Sequence, residues 1–234
     1  MSVAENIARI REQIQSAAKR AGRSASEVTL MAVSKTFPPD SVREAYQSGI
    51  RVFGENRVQE FAGKVGALRD LSDTQWHMIG HLQTNKATKT AELFSAVDSV
   101  DSLRLARKLN EAAAQLDRKL SVLIELNLGG EAAKTGMHPE SPELEELLSA
   151  ATQLEHLSIC GLMTVPPFTD DPQRARPFFR KLRESRDQIA GRHVTSVSMD
   201  VLSMGMSHDF EVAIDEGSTC VRVGTGIFGA RSKA

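Results

Sequence analysis

Short apolar runs alternate with amphipathic stretches along nearly the whole chain, and this alternation constrains the fold more than any other feature. The runs have the length and composition of buried strands, and they lie at residues 28–35, 50–54, 75–79, 94–100, 119–127, 157–165, 195–203 and 219–224. Helical patterns occupy residues 2–21, 40–48, 57–68, 84–93, 101–116, 141–154, 172–190 and 208–216. Strands that alternate with helices form right-handed βαβ units around a parallel sheet.

The number of these units favours a closed barrel. Eight strand–helix units in 234 residues predict a single (β/α)8 TIM barrel with an extra amino-terminal helix. An open, doubly wound sheet is the alternative. The sequence has no surplus segment, internal repeat or low-complexity linker, so we expect residues 1–234 to form one domain.

Composition excludes several classes of partner. The net charge is −1, from 29 basic and 30 acidic side chains without a basic cluster, so neither nucleic acid nor an anionic membrane is expected as a partner. The polar amphipathic start is unlike a signal peptide, and no apolar run approaches the ~20 residues that span a bilayer. We therefore expect a cytoplasmic protein.

Cysteines and histidines give no sign of a disulfide or a metal site. Cys160 and Cys220 each lie in an apolar strand, where we expect them to be buried packing residues. His77 and His81 are four residues apart on a predicted strand, so their α-carbons would be about 13 Å apart, too far to share one ion.

A lysine stands where the first strand ends. Lys35 follows an apolar run and precedes Thr36-Phe37-Pro38-Pro39, so it lies at the carboxyl end of a barrel strand, where this fold binds ligands. Burial disfavours the ammonium form of a lysine, and a neutral amine forms Schiff bases with aldehydes and ketones. A solvated loop lysine is the alternative interpretation.

The last two strands end in small and hydroxyl-bearing residues that favour a phosphate site. The segments are 203–207, Ser-Met-Gly-Met-Ser, and 224–226, Gly-Thr-Gly. The loops after strands seven and eight are the usual phosphate site of this barrel, because small residues let backbone N–H groups approach phosphate oxygens. The alternative is that these glycines only form tight turns.

Arg222 lies inside the last apolar strand, where a guanidinium requires a partner. In a closed barrel strand eight borders strand one, which would bring Arg222 near Lys35. A ligand with a phosphate, an acceptor for Arg222 and a carbonyl for Lys35 would use all these features, and pyridoxal 5′-phosphate (PLP) has those groups. Pairing of Arg222 with a carboxylate, Glu125 or Asp200, is the alternative.

Five blocks of sequence resemble the pyridoxal phosphate homeostasis proteins, and together they run from residue 32 to residue 231. They are Ala-Val-Ser-Lys-Thr at 32–36, Phe-Gly-Glu-Asn at 53–56, Trp-His-Met-Ile-Gly-His-Leu-Gln-Thr-Asn-Lys at 76–86, Gly-Leu-Met-Thr at 161–164, and the pair 202–207 and 222–231. The resemblance implies a barrel like the first domain of alanine racemase, without the β domain of that enzyme.

The resemblance also implies roles for individual residues. PLP would be held as a Schiff base on Lys35, with Arg222 at the pyridine nitrogen. The other implied contacts are to the phosphate, from Ser203, Ser207, Gly224 and Thr225, and to the ring, from Asn56 and Met204. Lys134 resembles the family's second lysine on a mobile loop. Arg57 departs from the family, because relatives commonly carry tyrosine there, and this puts a peripheral contact in doubt.

The chain could be a carrier or an enzyme. A permanently charged Arg222 would keep the pyridine nitrogen unprotonated, which weakens the ring as an electron sink. Two-base racemisation needs a second acid–base group, and the single tyrosine, Tyr46, is predicted mid-helix on the outside of the barrel. We therefore predict a non-catalytic, monomeric protein of intracellular PLP homeostasis, which buffers PLP or delivers it through transient contacts with apo PLP-dependent enzymes. An amino-acid racemase and a phosphosugar aldolase or isomerase are the alternatives.

Overall fold

Eight parallel strands close into a barrel in chain order, from β1 to β8, and β8 pairs back with β1. The computed structural model describes residues 1–130 and 135–230. The strands are β1 (Thr29–Val33), β2 (Val52–Glu55), β3 (Gln75–Met78), β4 (Ala96–Val100), β5 (Leu120–Glu125), β6 (Leu157–Met163), β7 (Val197–Met206) and β8 (Cys220–Val223). The predicted closed barrel is confirmed, and the open sheet is wrong.

Helices connect the strands and cover the outside of the barrel. They are α1 (Val3–Arg20), α2 (Pro39–Gln47), α3 (Val58–Lys64), α4 (Ala87–Leu93), α5 (Leu103–Gln115), α6 (Pro142–Ser149), α7 (Arg176–Gly191), α8 (Phe210–Asp215) and α9 (Thr225–Phe228). Short 3-10 helices lie at Ala25–Glu27, Val65–Leu68, Thr84–Lys86, Ala151–Gln153 and Pro172–Ala175. None of the helices in the described ranges is long and apolar enough to cross a bilayer.

Helix positions follow the sequence pattern, with two differences. Four predicted helices, at 57–68, 84–93, 141–154 and 172–190, are each an α-helix joined to a 3-10 turn. The 3-10 turn at Ala25–Glu27 and the four-residue helix α9 were not predicted, because elements this short show no hydrophobic period.

The amino-terminal helix α1 begins with the expected capping box. The side chain of Ser2 accepts a hydrogen bond from the backbone of Glu5, and Glu5 accepts one from the backbone of Ser2. The buried stripe of α1 is Ile7, Ile10, Ile14, Ala17 and Ala18, and the helix packs on α8 and α9. Asn6 also donates to the carbonyl oxygen of Ile227, 2.9 Å away. Helix α1 therefore supports the segment that follows β8.

Residues on each strand alternate between an apolar outer face and a more polar inner face. On β8, Val221 and Val223 belong to the hydrophobic core beneath the helices. Because successive side chains on a strand point to opposite faces, the buried Cys220 and Arg222 face the inside of the barrel. This alternation directs the polar side chains to the interior and its carboxyl end.

Irregularities in strand register on both sides of β7 affect which inner residues meet. The pairing of β6 with β7 shifts between Ile159 and Gly161, and that of β7 with β8 shifts between Ser203 and Met206. A Cβ on Gly161 would lie only 1.9 Å from the carbonyl oxygen of Val201. The strands approach this closely only because residue 161 has no side chain.

Candidate functional site

Lys35 lies two residues beyond the end of β1, at the carboxyl end of the barrel. Its side chain is partly buried, and the backbone at Lys35 and Thr36 forms a turn. Thr36 has a φ of 68°, in the left-handed region that β-branched residues rarely adopt. The lysine is therefore carried by a tight, unusual turn.

Three buried polar residues lie behind this turn. The sequence pointed to two of them, Ser34 and Glu55, only as members of the 32–36 and 53–56 blocks, and it did not point to Lys64. Ser34 donates from Oγ to Oε1 of Glu55 at 2.5 Å, and Nζ of Lys64 lies 2.7 Å from the same oxygen. Glu55 is fully buried at the end of β2, and Lys64 ends α3. Burial raises the pKa of Glu55, although the charge of Lys64 partly offsets this.

Asn56 follows Glu55 at the end of β2 and is partly exposed. It packs against the glycine that follows β3 by two residues. A Cβ on Gly80 would lie 2.4 Å from the backbone oxygen of Asn56 and 2.7 Å from its side-chain Oδ1. The missing side chain at Gly80 therefore makes room for Asn56. Arg57, next in the chain, is exposed and precedes α3.

Arg222 is buried inside the barrel, only 4% exposed, and its partners are not carboxylates. Nη1 donates to Oγ of Ser203 at 2.7 Å, and Nη2 donates to the carbonyl oxygen of Thr164 at 2.8 Å. Neither contact is with Glu125 or Asp200, so direct pairing of Arg222 with either carboxylate is wrong for the described residues. Burial lowers the pKa of Arg222, and surrounding acidic groups oppose the change.

Arg222 and Lys35 lie on neighbouring strands. On the seam between β1 and β8, Arg222 pairs with Met31, and Lys35 comes four residues after Met31. The guanidinium makes its hydrogen bonds with residues at the ends of β6 and β7. The two cationic side chains therefore belong to the same end of the barrel, Lys35 after β1 and Arg222 on the adjacent β8.

Ser203 and Met204 occupy opposite faces of β7. Ser203 is fully buried and faces inward, because its hydroxyl meets Arg222. Met204 is also fully buried, but it belongs with Leu202 to the hydrophobic core beneath the helices. The side chain of Met204 therefore points away from Ser203, and only its backbone lies beside the inner residues.

Ser207 ties together the loops that follow β7 and β8. Its Oγ accepts hydrogen bonds from the backbone N–H groups of Gly224 and Gly226, each at 3.3 Å. Thr225 lies between these glycines and is exposed. A Cβ on Gly226 would lie 2.9 Å from Cγ1 of Val223, so this close approach requires glycine. The segments that the sequence assigned to a phosphate are thus in direct contact.

Two buried acids lie near Arg222, and sequence reasoning assigned neither to the site. Burial raises the pKa of Glu125, at the end of β5, and of Asp209, before α8. Thr135 donates to Oε1 of Glu125 at 3.1 Å, and Oε2 has no hydrogen-bond partner in the described part of the chain. The signal for Glu125 was an acid that ends an otherwise apolar strand, the position that Glu55 holds on β2.

Other polar candidates have partners of their own. His81 pairs with Asp101 at 3.2 Å, and His77 pairs with the buried Asp98 at 2.9 Å inside the barrel. Tyr46 donates to Asp73 at 2.6 Å, outside the barrel near the amino ends of the strands. Cys160 is partly buried and Cys220 buried, and burial raises the pKa of both thiols.

Lys134 and Arg231 lie outside the described residues.

Two cavities lie away from the carboxyl end of the barrel. One, of about 500 Å³, is lined by residues that include Arg11, Leu30 and Arg51, near the amino ends of β1 and β2. The other, of about 320 Å³, is inside the barrel beside His77 and Asp98. Neither cavity is lined by the hydroxyl and glycine groups of the β7 and β8 loops. We therefore define the candidate site by its polar groups and not by a cavity.

Comparisons with known proteins show the family to which this chain belongs. The family described as "Alanine racemase, N-terminal domain" matches residues 6–232. The pyridoxal phosphate homeostasis protein of Aquifex aeolicus (strain VF5) is 46% identical over 231 residues, which cover 99% of both chains. The protein of the same name from Escherichia coli (strain K12) is 42% identical over 231 residues, 98% of this chain and 97% of the relative. This chain belongs to the pyridoxal phosphate homeostasis protein family.

Solved structures show the same barrel. PipY of Synechococcus elongatus PCC7942, solved with PLP bound, superposes with a TM-score of 0.85 at 36% identity, covering 97% of this chain and 100% of PipY. Alanine racemase from Streptomyces coelicolor A3(2) superposes with a TM-score of 0.71 at 19% identity, covering 98% of this chain but 59% of the racemase. The second likeness concerns the fold alone. The curated relatives are named as homeostasis proteins and not as enzymes.

Proposed function

We propose that this family member binds PLP as a Schiff base on Lys35 and acts in PLP homeostasis, by buffering or delivering the cofactor without turning over a substrate. The observation that carries the proposal is that Lys35, Arg222 and the joined loops of Ser207 and Gly224 occupy the same end of one barrel. The PLP-bound PipY structure and the names of the curated relatives support it.

The groups at this end of the barrel fit the phosphate of PLP. The hydroxyls of Ser203, Ser207 and Thr225 are neutral donors for phosphate oxygens. The N–H groups of Gly224 and Gly226 donate to Oγ of Ser207, and they would turn to a phosphate that binds beside that hydroxyl. Ser203 accepts a bond from Arg222, and its own hydrogen can be donated either to the neighbouring Cys220 thiol or to a phosphate oxygen.

The pyridine ring also has matching partners. A guanidinium has five N–H donors, and the two bonds to Ser203 and Thr164 leave others for a ring nitrogen. Asn56 would flank the ring from β2. A contact from Met204 stays a prediction, and it would involve the backbone of that residue since its side chain faces the helices.

Lys35 supplies the covalent link. The neutral amine attacks the aldehyde carbon of PLP, a carbon–nitrogen double bond forms, and the aldehyde oxygen leaves as water. Arg222 is a permanent donor, so it would hold a ring nitrogen in its unprotonated, hydrogen-bond-accepting form. A ring in that form is a weak electron sink, which suits storage of PLP better than decarboxylation or transamination.

An amino-acid racemase is the second candidate, and it requires an acid–base group opposite Lys35. Tyr46, the single tyrosine, bonds to Asp73 outside the barrel. His81 stands at the carboxyl end but pairs with Asp101. Tyr46 lies outside the barrel and His81 already has a partner, and for this reason we favour the carrier.

Absorbance and mass spectrometry test the covalent link. The protein loaded with PLP and then freed of unbound cofactor by gel filtration should absorb near the violet edge of the visible, and Lys35→Ala should lack this band. The exposed Lys89→Ala, on α4, serves as the matched control. Borohydride reduction followed by peptide mass spectrometry should place the cofactor on Lys35. A colourless protein after gel filtration, or attachment to another lysine, would contradict the proposal.

Turnover is tested with single enantiomers. The PLP-loaded protein, incubated with L-alanine or D-alanine and analysed by chiral chromatography, should give no more inversion than free PLP at the same concentration. Inversion above that rate, lost in Lys35→Ala, would favour the racemase. Delivery is tested with an apo PLP-dependent enzyme in the presence of a PLP scavenger. The enzyme should regain activity faster from the loaded protein than from an equal amount of free PLP.

A further inference from the structure

We propose that Glu60 and Lys64 are positioning residues, which hold the two peptide groups on either side of Lys35 so that its side chain starts from one fixed direction. The inference rests on the proposed Schiff base at Lys35 and adds a function for helix α3. Both residues lie on one face of that helix, four positions apart, with Nζ of Lys64 3.8 Å from Oε1 of Glu60.

Lys64 holds the peptide group that precedes Lys35. Its ammonium donates to the carbonyl oxygen of Ser34 at 2.8 Å and to that of Phe37 at 3.4 Å. The backbone N–H of Phe37 also donates to the oxygen of Ser34 at 3.1 Å. One cationic group therefore binds both ends of the turn, residues 34–37, that contains Lys35.

The ammonium of Lys64 is itself fixed by a buried acid. Oε1 of Glu55 lies 2.7 Å from Nζ, and the same oxygen accepts from the hydroxyl of Ser34 at 2.5 Å. The side chains of Lys64 and Glu55 are 10% and 0% exposed. Burying such a pair is costly, and good hydrogen bonding offsets that cost only in part. Because this buried ion pair is costly and lies beneath the Lys35 turn, we infer that it serves to hold that turn.

Glu60 holds the peptide group that follows Lys35. The backbone N–H of Thr36 donates to Oε1 of Glu60. Thr36 has a φ of 68°, and a non-glycine residue keeps this conformation only when its surroundings impose it. The bond from Glu60 supplies that restraint. Both peptide planes around Lys35 are thus held from α3.

A fixed backbone at Lys35 matters for carbonyl attack more than for anion binding. The amine must meet the aldehyde carbon at a defined distance and angle, and small misplacements slow such reactions strongly. The hydroxyl and amide groups proposed for the phosphate lie on the β7 and β8 loops. Their hydrogen bonds to Arg222 and within these loops do not involve Glu60 or Lys64. Loss of the positioning residues should therefore impair Schiff-base formation selectively.

The experiment compares PLP with pyridoxine 5′-phosphate, which has the ring and the phosphate but no aldehyde. In Glu60→Ala and Lys64→Met, stopped-flow absorbance should show Schiff-base formation about tenfold slower than in the wild type. Calorimetric affinity for pyridoxine 5′-phosphate should stay within about twofold of the wild type. Lys64→Arg keeps a cationic donor and should recover part of the rate.

Matched controls come from an exposed pair. Lys89→Met and Glu92→Ala remove a 2.7 Å salt bridge of similar type on α4, and they should leave both measurements unchanged. Glu60 is partly exposed, so Glu60→Ala leaves no unpaired buried charge and remains informative if Lys64→Met fails to fold.

The outcomes separate this inference from the proposed function. Unchanged Schiff-base kinetics in Glu60→Ala would overturn the positioning role, as would an equal loss of affinity for pyridoxine 5′-phosphate. A wild-type protein that forms no Schiff base on Lys35 would instead overturn the proposed function.

Discussion

Nη1 of Arg222 lies 2.7 Å from Oγ of Ser203, and this buried hydrogen bond joins the inner faces of β8 and β7 at the carboxyl end of the barrel. The guanidinium also bonds to the carbonyl oxygen of Thr164, so one arginine connects the ends of three consecutive strands. The arrangement positions a cationic donor without pairing it to a carboxylate. The donor remains available to a ligand, and the strands around it are held in place.

Ser203→Ala tests the importance of this bond for stability. The substitution leaves a buried N–H of Arg222 without its acceptor, which should lower the free energy of unfolding by about 1–3 kcal/mol. Urea denaturation of the apo protein measures the change. Ser198→Ala, at an exposed position of the same strand, should have little effect. Equal stability of the two variants would show that Arg222 finds another partner.

Ser207→Ala tests the proposed phosphate site. It removes a hydroxyl that joins the loops of Gly224 and Gly226, so affinity for PLP should fall about tenfold or more, the value of one hydrogen bond to a charged group. Schiff-base formation with pyridoxal, which has no phosphate, should be unchanged. Fluorescence titration with both aldehydes measures the difference. A parallel loss for pyridoxal would mean that Ser207 acts on the fold and not on the phosphate.

His77 predicts a pH dependence of stability. Burial alone would lower its pKa, but the charge and hydrogen bond of Asp98 outweigh burial, so the net pKa is raised. The folded state then binds a proton more tightly than the unfolded state. The resulting stabilisation is complete below the unfolded pKa of about 6.5 and is lost as pH rises through the folded pKa.

The difference in unfolding free energy between wild type and His77→Gln should therefore shrink as pH rises from about 6 to about 9. Because one proton is involved, this difference can change by at most about 1.4 kcal/mol per pH unit. Urea denaturation across this range measures it, with the exposed His138→Gln as a control. A difference that is constant with pH would show that His77 does not titrate between the two states.

Two glycines should respond oppositely to alanine. In Gly161→Ala the new Cβ would lie 1.9 Å from the carbonyl oxygen of Val201, so β6 and β7 must separate. The free energy of unfolding should therefore fall by about 3 kcal/mol. In Gly63→Ala the new Cβ meets nothing within 4 Å on α3, and the helix should gain about 1 kcal/mol. Thermal denaturation of both variants measures the two changes in stability, which should have opposite signs. A stable Gly161→Ala protein would contradict the close approach of these strands.

The candidate site was only partly visible in the sequence. Lys35 and the 203–207 and 224–226 segments were found because each follows an apolar strand, where a barrel binds ligands. The partners of Arg222 were not found, because they depend on the register shifts between β6, β7 and β8. Glu60 and Lys64 were missed because their contacts with the Lys35 turn cross about 24–30 residues of chain.

The period of the apolar residues determined the elements by itself. Apolar strands with helical stripes between them imply a parallel sheet covered by helices, and the number of units favours its closure into a barrel. It also determined which residues end the strands. Only the tertiary structure decided which of those residues touch, because barrel closure, strand register and the turn at Thr36 set distances between segments that local sequence does not encode. Ser34, Glu55 and Lys64 meet for that reason, as do Arg222, Ser203 and Thr164.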